Sequence, residues 1–395
     1  MGSEFLTSPF DNLLKPVDDH LIVHNELMSS LILGNKIQIH TSKHGIPDLD
    51  TTKIVIIGIP ETRNSIDYLG DELNLNEIRK SFYNLYPGNW STEIADLGNL
   101  ILGENVEQTY GRIISMLSIL FEKNIIPIII GGSHDLLYAN YRAYDSFKNT
   151  VNIVNIDSNF DLGDSAKPIN NLSYLGKIIL DEPHNLFNYS NLGYQTYHNS
   201  QEGIDLMENL YFESYRLGEV CSNIRLSEPV MRDADIVSVD LKSVRASELS
   251  SRQKFSPNGF DGKEICALSR YAGISNKVSS FGIYEYKSSN EDEITEMLIS
   301  QIIWYFIEGV NCRIQDSDFQ NDEDYNKFTV IVDEYELVFY QNKITSRWWI
   351  EIIGDGSNNK LKQNTLLPCT LDDYEVAKNG MIPERWFKAI KKNVL

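Results

Sequence analysis

Residues 125–161 read IIPIIIGGSHDLLYANYRAYDSFKNTVNIVNIDSNFD, and this stretch decides the fold. Its β-branched runs, IIPIII and VNIVNI, are short and lack the polar alternation of a half-exposed strand. Largely apolar, β-branched runs of this kind belong to parallel sheets covered on both faces. Between them Gly131 and Gly132 close the first run, and LLYANYRAYDSF has helical spacing. Strand, helix and strand in that order make a right-handed βαβ unit.

The alternation extends in both directions. Upstream, KIVIIGI (Lys53–Ile59) is a buried strand stopped by Pro60, and LNLNEIRKSFYNLY carries Leu75, Ile78, Phe82 and Leu85 on one helical face. IADLG (Ile94–Gly98) is a short strand, and Asn105–Asn124 is a helix with an asparagine cap. Downstream, NLFNYSNLGYQTYH reads as a buried strand with its rim and GIDLMENLYFESYRLG as a helix. ADIVSVDL (Ala234–Leu241) is a strand, DGKEICALSRYAG a helix, KVSSFGIYEY (Lys277–Tyr286) a strand, and Glu291–Gly309 a long amphipathic helix. The expected fold is α/β, a three-layer αβα arrangement around a central, mostly parallel sheet.

The pattern changes after Gly309. RIQDSDFQNDEDYNK is polar and acidic; FTVIVDEYELVFYQN and SRWWIEIIGDG then give two or three β runs with no helix between them, and DDYEVAKN and PERWFKAIKKNVL read as short closing helices. The division expected is an N-terminal extension (1–52), an α/β domain (53–314) and a small β-hairpin and helix appendage (315–395). Trp348, Trp349 and Trp386 are expected to pack the appendage on the core.

Composition narrows the function. Among 395 residues, 35 Lys and Arg face 56 Asp and Glu, a net charge of −21. Such a surface repels phosphate backbones, which argues against nucleic acid as a partner. Cys221, Cys266, Cys312 and Cys369 are scattered without a CxxC pair, which fits a reduced compartment rather than a disulfide framework or a thiolate zinc site. The first twenty residues lack a basic and an apolar region, and no apolar stretch approaches the roughly 20 residues that span a bilayer. The expectation is a cytoplasmic protein without membrane insertion.

Ligands of an open parallel sheet bind beyond the carboxyl ends of its strands, and polar residues stand there in this chain. Ser133-His134-Asp135 follows IIPIIIGG, Asp157-Ser158-Asn159-Phe160-Asp161 follows VNIVNI, Asp240-Leu241-Lys242 follows IVSV, and Glu285 follows SFGIY. One imidazole with several carboxylates is a donor set for Mn²⁺. Each residue alone has an ordinary explanation: a loop histidine, aspartates capping the next segment, an Asp240–Lys242 pair on one strand face, a solvated Glu285. Their convergence on one end of one sheet outweighs those explanations. His20/His24 and His40/His44 have i, i+4 spacing but no acidic third ligand beside them. Phosphate loops and GxSxG elbows are absent.

GGSH (Gly131–His134), DSNFD (Asp157–Asp161) and SVDLK (Ser238–Lys242) resemble, in order and spacing, the ureohydrolase signatures GG[DS]H, DAHxD and SxDxD. That superfamily holds arginase, agmatinase and formimidoylglutamase. The resemblance runs over about residues 53–309 and is nearest to a bacterial formimidoylglutamase-like branch, to which IADLGN, LGYQTY, RLGEV and SRWW are also similar. It implies an arginase-like fold and two Mn²⁺ ions activating a bridging hydroxide. The first metal falls to His134, Asp157, Asp161 and Asp240, with Asp240 also serving catalysis. Glu285 matches the acidic residue that pairs with the cationic end of the substrate. The second metal needs a histidine at 159 and an aspartate at 242, where this chain has Asn159 and Lys242.

Asparagine is a weak ligand, and Lys242 puts a fixed positive charge where a cation belongs. Two unit charges 4 Å apart repel by roughly 4 kcal/mol at an effective dielectric of 20. The ammonium is expected within ion-pair reach of Asp157 or Asp240, and the chain is expected to hold one Mn²⁺ or none. Three functions follow: a catalytically impaired binding or scaffold protein, with a protein partner or larger assembly; an active formimidoylglutamase-type hydrolase of linear amidines, N-formimino-L-glutamate or a guanidino compound; and a sensor of a small cationic amidine. SRWWIEII and the acidic stretch 315–325 are candidate partner surfaces. Family relatives are often homo-oligomers.

Overall fold

The computed structural model describes residues 10, 12–66, 73–147, 150–164, 166–249, 256–287, 293–314, 323–352 and 365–394. The acidic stretch 315–322 therefore lies outside the described residues.

Ten strands form the central sheet: β1 (Leu14–Lys15), β2 (Gln38–Ile39), β3 (Ile54–Ile59), β4 (Ile94–Leu100), β5 (Ile126–Gly131), β6 (Val151–Ile156), β7 (Leu186–Tyr194), β8 (Glu213–Arg216), β9 (Ile236–Asp240) and β10 (Ser280–Tyr284). Their spatial order is β1-β4-β3-β5-β10-β9-β6-β7-β8, with β2 also on β4. Every pairing is parallel except β1 with β4. Strands β3, β5, β6, β9 and β10 are buried along their whole length, which is why their sequences show no alternation. Helices cover both faces, one with Ile113, Leu117 and Tyr174 among its buried residues and the other with Ile265, Ile299 and Phe306. The three-layer αβα fold is as expected.

Local chemistry fixes the helices. Asn105 caps Val106–Glu122 by accepting from the Gln108 amide. Asp261 and Glu264 form a reciprocal capping box at the start of Gly262–Ile274. One expected helix is partly a strand: GIDLMENLYFESYRLG divides into the helix Gln201–Asn209, β8, and the helix Leu217–Ser222. Tyr211 turns into the left-handed region (φ 54°), and pairing of Ser190 with Glu213 draws the following residues onto the sheet edge. Tertiary pairing overrides helical spacing there.

The C-terminal part folds around a second, antiparallel sheet, β11 (Tyr325–Val332), β12 (Tyr335–Asn342), β13 (Trp348–Ile352) and β14 (Thr365–Cys369), in sequential order. β14 is a fourth strand beyond the two or three runs expected. Trp348 and Trp386 pack with Leu337, Phe339 and Ile350 in the appendage's own core. Polar contacts reach across to the α/β layer. The buried Arg232 guanidinium lies 4.5 Å from the Trp349 ring, and its Nη2 donates to the carbonyls of Trp348 (3.2 Å) and Cys369 (3.1 Å). Glu228 pairs with both Arg232 (3.0 Å) and Arg347 (3.4 Å), and Glu213 pairs with Arg385 (3.3 Å).

Replacing Arg232 removes the donor that both carbonyls share and leaves Glu228 with one partner. Arg232→Ala should lower stability by about 2–4 kcal/mol. Hydrogen exchange should show the loss first at the β13 and β14 amides. Exchange there at the wild-type rate contradicts this account of docking.

Candidate metal centre

Four neighbouring strands, β5, β10, β9 and β6, end side by side at the centre of the sheet. In register, Ile130 lies beside Ile283, Tyr284 beside Asp240, and Val239 beside Ile156. The residues that follow, His134, Glu285 and Asp157, therefore emerge at one level with Asp240. The β5 turn packs its backbone against that of the 59–61 segment: Gly132 N–H donates to the Ile59 carbonyl (3.0 Å) and Ser133 N–H to the Glu61 carbonyl (2.9 Å). A Cβ on Gly132 would press into the Glu61 carbonyl oxygen, so this close approach needs glycine. The Glu285 amide then donates to the Gly132 carbonyl (2.7 Å), and the His134 amide donates to Glu285 Oε1 (3.0 Å).

These turns bring His134, Asp157, Asp161 and Asp240 together, all buried, with one donor atom of each within 4.8 Å of the others. His134 Nδ1 stands 3.2 Å from Asp240 Oδ2, 3.5 Å from Asp157 Oδ2 and 3.6 Å from Asp161 Oδ2. Its Nε2 is 2.7 Å from the Ser238 hydroxyl, which fixes the ring so that Nδ1 faces the carboxylates. A hydrogen-bond partner on the far ring nitrogen is the usual companion of a metal-ligating histidine. Tyr284 stacks on the imidazole from one side, at 5.1 Å, and Tyr174 lies 4.5 Å away. Asp157 Oδ2 accepts from Asn155 Nδ2 (3.2 Å), which also meets the hydroxyls of Tyr174 and Tyr189.

Asp161 and Glu285 both have positive φ, 52° and 62°, a region costly for residues with a Cβ and concentrated at functional sites. Asp161 Oδ2 is buried without a hydrogen bond. A buried acceptor left so is expensive unless a cation joins it. The donor set, one nitrogen and three carboxylate oxygens, fits a single divalent ion of the Mn²⁺ class. Among the described residues this is the only cluster of three or more such side chains that could hold a metal. His40 instead meets the Leu97 carbonyl, and His44 meets Thr41.

Charge balance sets the protonation states. Burial pulls the His134 pKa down, but the close approach of Asp161, the hydrogen bond to Asp240 and the attraction of Asp240 and Asp157 outweigh it and carry the imidazole up to about 10. Burial, with repulsion from Asp240 and Asp161, pushes Asp157 well above the usual carboxylate range. Burial acts the same way on Asp240, yet the His134 hydrogen bond and the Lys242 charge bring that carboxyl below its ordinary value. Glu285 is raised, chiefly by burial, against the opposing pull of Lys242.

Lys242 departs from the expectation. Its Nζ forms an ion pair with Glu285 Oε2 at 3.0 Å, the glutamate almost wholly buried and the lysine side chain 22% exposed. The ion pair is with neither Asp157 nor Asp240. The reason is backbone geometry: β9 stops at Asp240 and Leu241–Ser243 form a 3₁₀ turn. Asp240 Oδ1 accepts the Lys242 amide at 2.6 Å, so residue 242 no longer shares a strand face with 240. Asn159 donates its amide to Asp157 Oδ1 (2.9 Å), while its side-chain oxygen accepts from Ser158 (3.0 Å). Ser238, Asn155, Tyr174 and Tyr284 escaped the sequence reading. Ser238 and Asn155 each lie two residues before a site aspartate, and the period-2 rule places them on the same strand face.

A model of the arginase family matches residues 52–308. The chain belongs to the arginase family. Among curated relatives, a formimidoylglutamase of Macrococcus caseolyticus is 30% identical over 157 residues, which is 38% of this chain and about half (48%) of that protein. Another, from Halalkalibacterium halodurans, is 22% identical over 64% of this chain and 86% of its own length. Of solved structures, Trypanosoma cruzi formiminoglutamase with Mn²⁺ superimposes with a TM-score of 0.61 at 16% identity, covering 72% of this chain and 99% of that one. Bacillus subtilis formimidoylglutamase gives 0.60 at 17%, over 70% and 97%. At such identities these likenesses establish the arginase fold. Among the described residues no helix is long and apolar enough to cross a membrane.

A metal ion entering this centre must displace the His134 proton, which is held up to a pKa of about 10. Mn²⁺ affinity should therefore rise at least tenfold per pH unit between pH 6 and 9, with at least one proton released per ion. Calorimetry in buffers of different ionisation enthalpy measures both. Affinity independent of pH contradicts the assignment of His134 as a ligand.

Proposed function

We propose that this arginase-family chain is impaired as a hydrolase: it holds one divalent cation at His134, Asp157, Asp161 and Asp240, and it binds a small cationic amidine weakly, without efficient turnover. The observation that carries the reading is the Lys242–Glu285 ion pair at 3.0 Å. Glu285 is the residue that the family resemblance assigns to the cationic end of the substrate. Its carboxylate already has an ammonium partner tethered to the same protein. Such an intramolecular competitor acts at an effective concentration of mM or above, so a free amidinium must first displace it.

The same ammonium opposes a second metal ion. At 4 Å and an effective dielectric of 20, repulsion costs roughly 4 kcal/mol per unit charge, nearly three decades of affinity. Asn159 offers the second ion a neutral amide oxygen instead of an imidazole. A divalent cation at the remaining site supplies Lewis acidity toward water or an amidine. The chain's own groups do the rest: Ser238 and Tyr284 hold the imidazole, Asn155 holds Asp157, and Lys242 neutralises Glu285.

The alternative, an active formimidoylglutamase-type hydrolase, is separated from this reading by one assay. Release of ammonia, formamide or urea is followed with N-formimino-L-glutamate, arginine and agmatine at saturating Mn²⁺. Wild type should stay near background, because losing about 3–4 kcal/mol of transition-state stabilisation costs two to three decades in rate. Asn159→His combined with Lys242→Asp should raise turnover by at least tenfold. Wild-type turnover of about one per second or faster, unchanged by the paired substitution, overturns the proposal.

A further inference from the structure

At the opposite pole of the sheet, beneath the amino ends of β3, β5 and β10, lies a cavity of about 420 Å³. It is bounded by the end of the helix Val106–Glu122, the segment after the helix Leu136–Arg142, the 276–279 turn and the residues after the helix Ile294–Asn311. Lys53, Lys277 and Arg313 line it, and no carboxylate does among the described residues. In a chain of net charge −21, three cations facing one cavity with no acid among them run against the composition.

Two of these charges have no carboxylate partner among the described residues. Lys53 Nζ donates to the Asn124 carbonyl at 2.8 Å. Arg313 donates from Nε to the Gly273 carbonyl (2.8 Å) and from Nη2 to the Val278 carbonyl (2.9 Å). Lys277 is balanced by Asp233 (2.9 Å) and Asp235 (3.8 Å). The carbonyls of Asn124 and Gly273 belong to helix C-terminal ends, where cations are favourable. That explains where the cations stand, but carbonyl dipoles do not cancel a full charge. Burial alone lowers the Arg313 pKa to about 10, and Arg313 in turn lowers Lys53, after the effect of the lysine's own burial. The rest of the wall is mostly aromatic and aliphatic, with Asn124, Asn276 and Ser279 as its uncharged polar members. Phe121 packs against Tyr144 (4.4 Å between ring centres) and edge-on against Phe147 (6.2 Å), with Phe147 39% exposed at the mouth.

We propose that this cavity is a binding site for a small organic oxyanion, a carboxylate or phosphate carrying an aromatic or otherwise apolar body. The acidic head lies between Lys53 and Arg313, where charge-assisted hydrogen bonds are strongest. The body lies against Phe121 and Phe147, where ring contact removes apolar surface from water. The site is separate from the metal centre, and its existence does not depend on whether that centre is active.

The test is calorimetric titration of the full chain with phenyl phosphate and, separately, benzoate. Inorganic phosphate and benzyl alcohol serve as head-only and body-only controls. One molecule per chain should bind with a Kd of about 1 mM or tighter, and each control at least tenfold more weakly. Lys53→Gln and Phe147→Ala alter exposed side chains, so folding should be preserved, and each should weaken phenyl phosphate about tenfold. Lys53→Arg should retain binding. The comparison of the two aromatic anions tells a phosphate site from a carboxylate site. No saturable binding of either anion, or binding unchanged in both Lys53→Gln and Phe147→Ala, overturns the proposal.

Discussion

Carboxyl groups buried together in one crevice cannot all remain ionised without positive charge beside them. Asp157, Asp161, Asp240 and Glu285 are such a group, and the site is organised around meeting that demand. His134 places Nδ1 within 3.6 Å of three of them, and Lys242 takes the fourth. Asn155, Ser238 and the backbone amides of His134, Asn159 and Lys242 supply further hydrogen bonds. A protonated imidazole and a divalent ion are alternative answers to the same electrostatic problem. Lys242 is a permanent answer for Glu285.

The parallel sheet makes the cluster possible. Four adjacent strands end at one level, so residues distant in sequence converge without any long loop reaching across. The backbone spends strain there: Asp161 and Glu285 have left-handed dihedrals, and Gly132 admits a carbonyl that no other residue would tolerate. The surrounding β-branched core over-determines these positions, as strained functional residues require.

Much of this was legible in the sequence. Continuous apolar runs announced buried parallel strands, and polar residues directly after them announced the crevice, so His134, Asp157, Asp161 and Asp240 could be named before their distances were known. A lysine where a second cation is expected points to the site, but its partner is Glu285 rather than Asp157 or Asp240, because the strand ends at Asp240 and a turn follows. The 3₁₀ turn after Asp240 depends on a side-chain to backbone hydrogen bond that hydrophobic periodicity does not encode. β8 was hidden for a related reason: FESYR has no strong preference of its own and becomes a strand because β7 offers an edge. The docking of the appendage through Arg232 was also illegible, since a lone arginine in a helix gives no sign of the carbonyls it will meet.

On our reading, Lys242 holds Glu285 and leaves room for one metal ion. Anomalous diffraction at the manganese edge, from crystals grown in mM Mn²⁺, measures both parts at once. One peak is expected among His134, Asp157, Asp161 and Asp240, with the Lys242 ammonium still on Glu285. Two peaks bridged by Asp157 and Asp240, with Lys242 displaced into solvent, would contradict it.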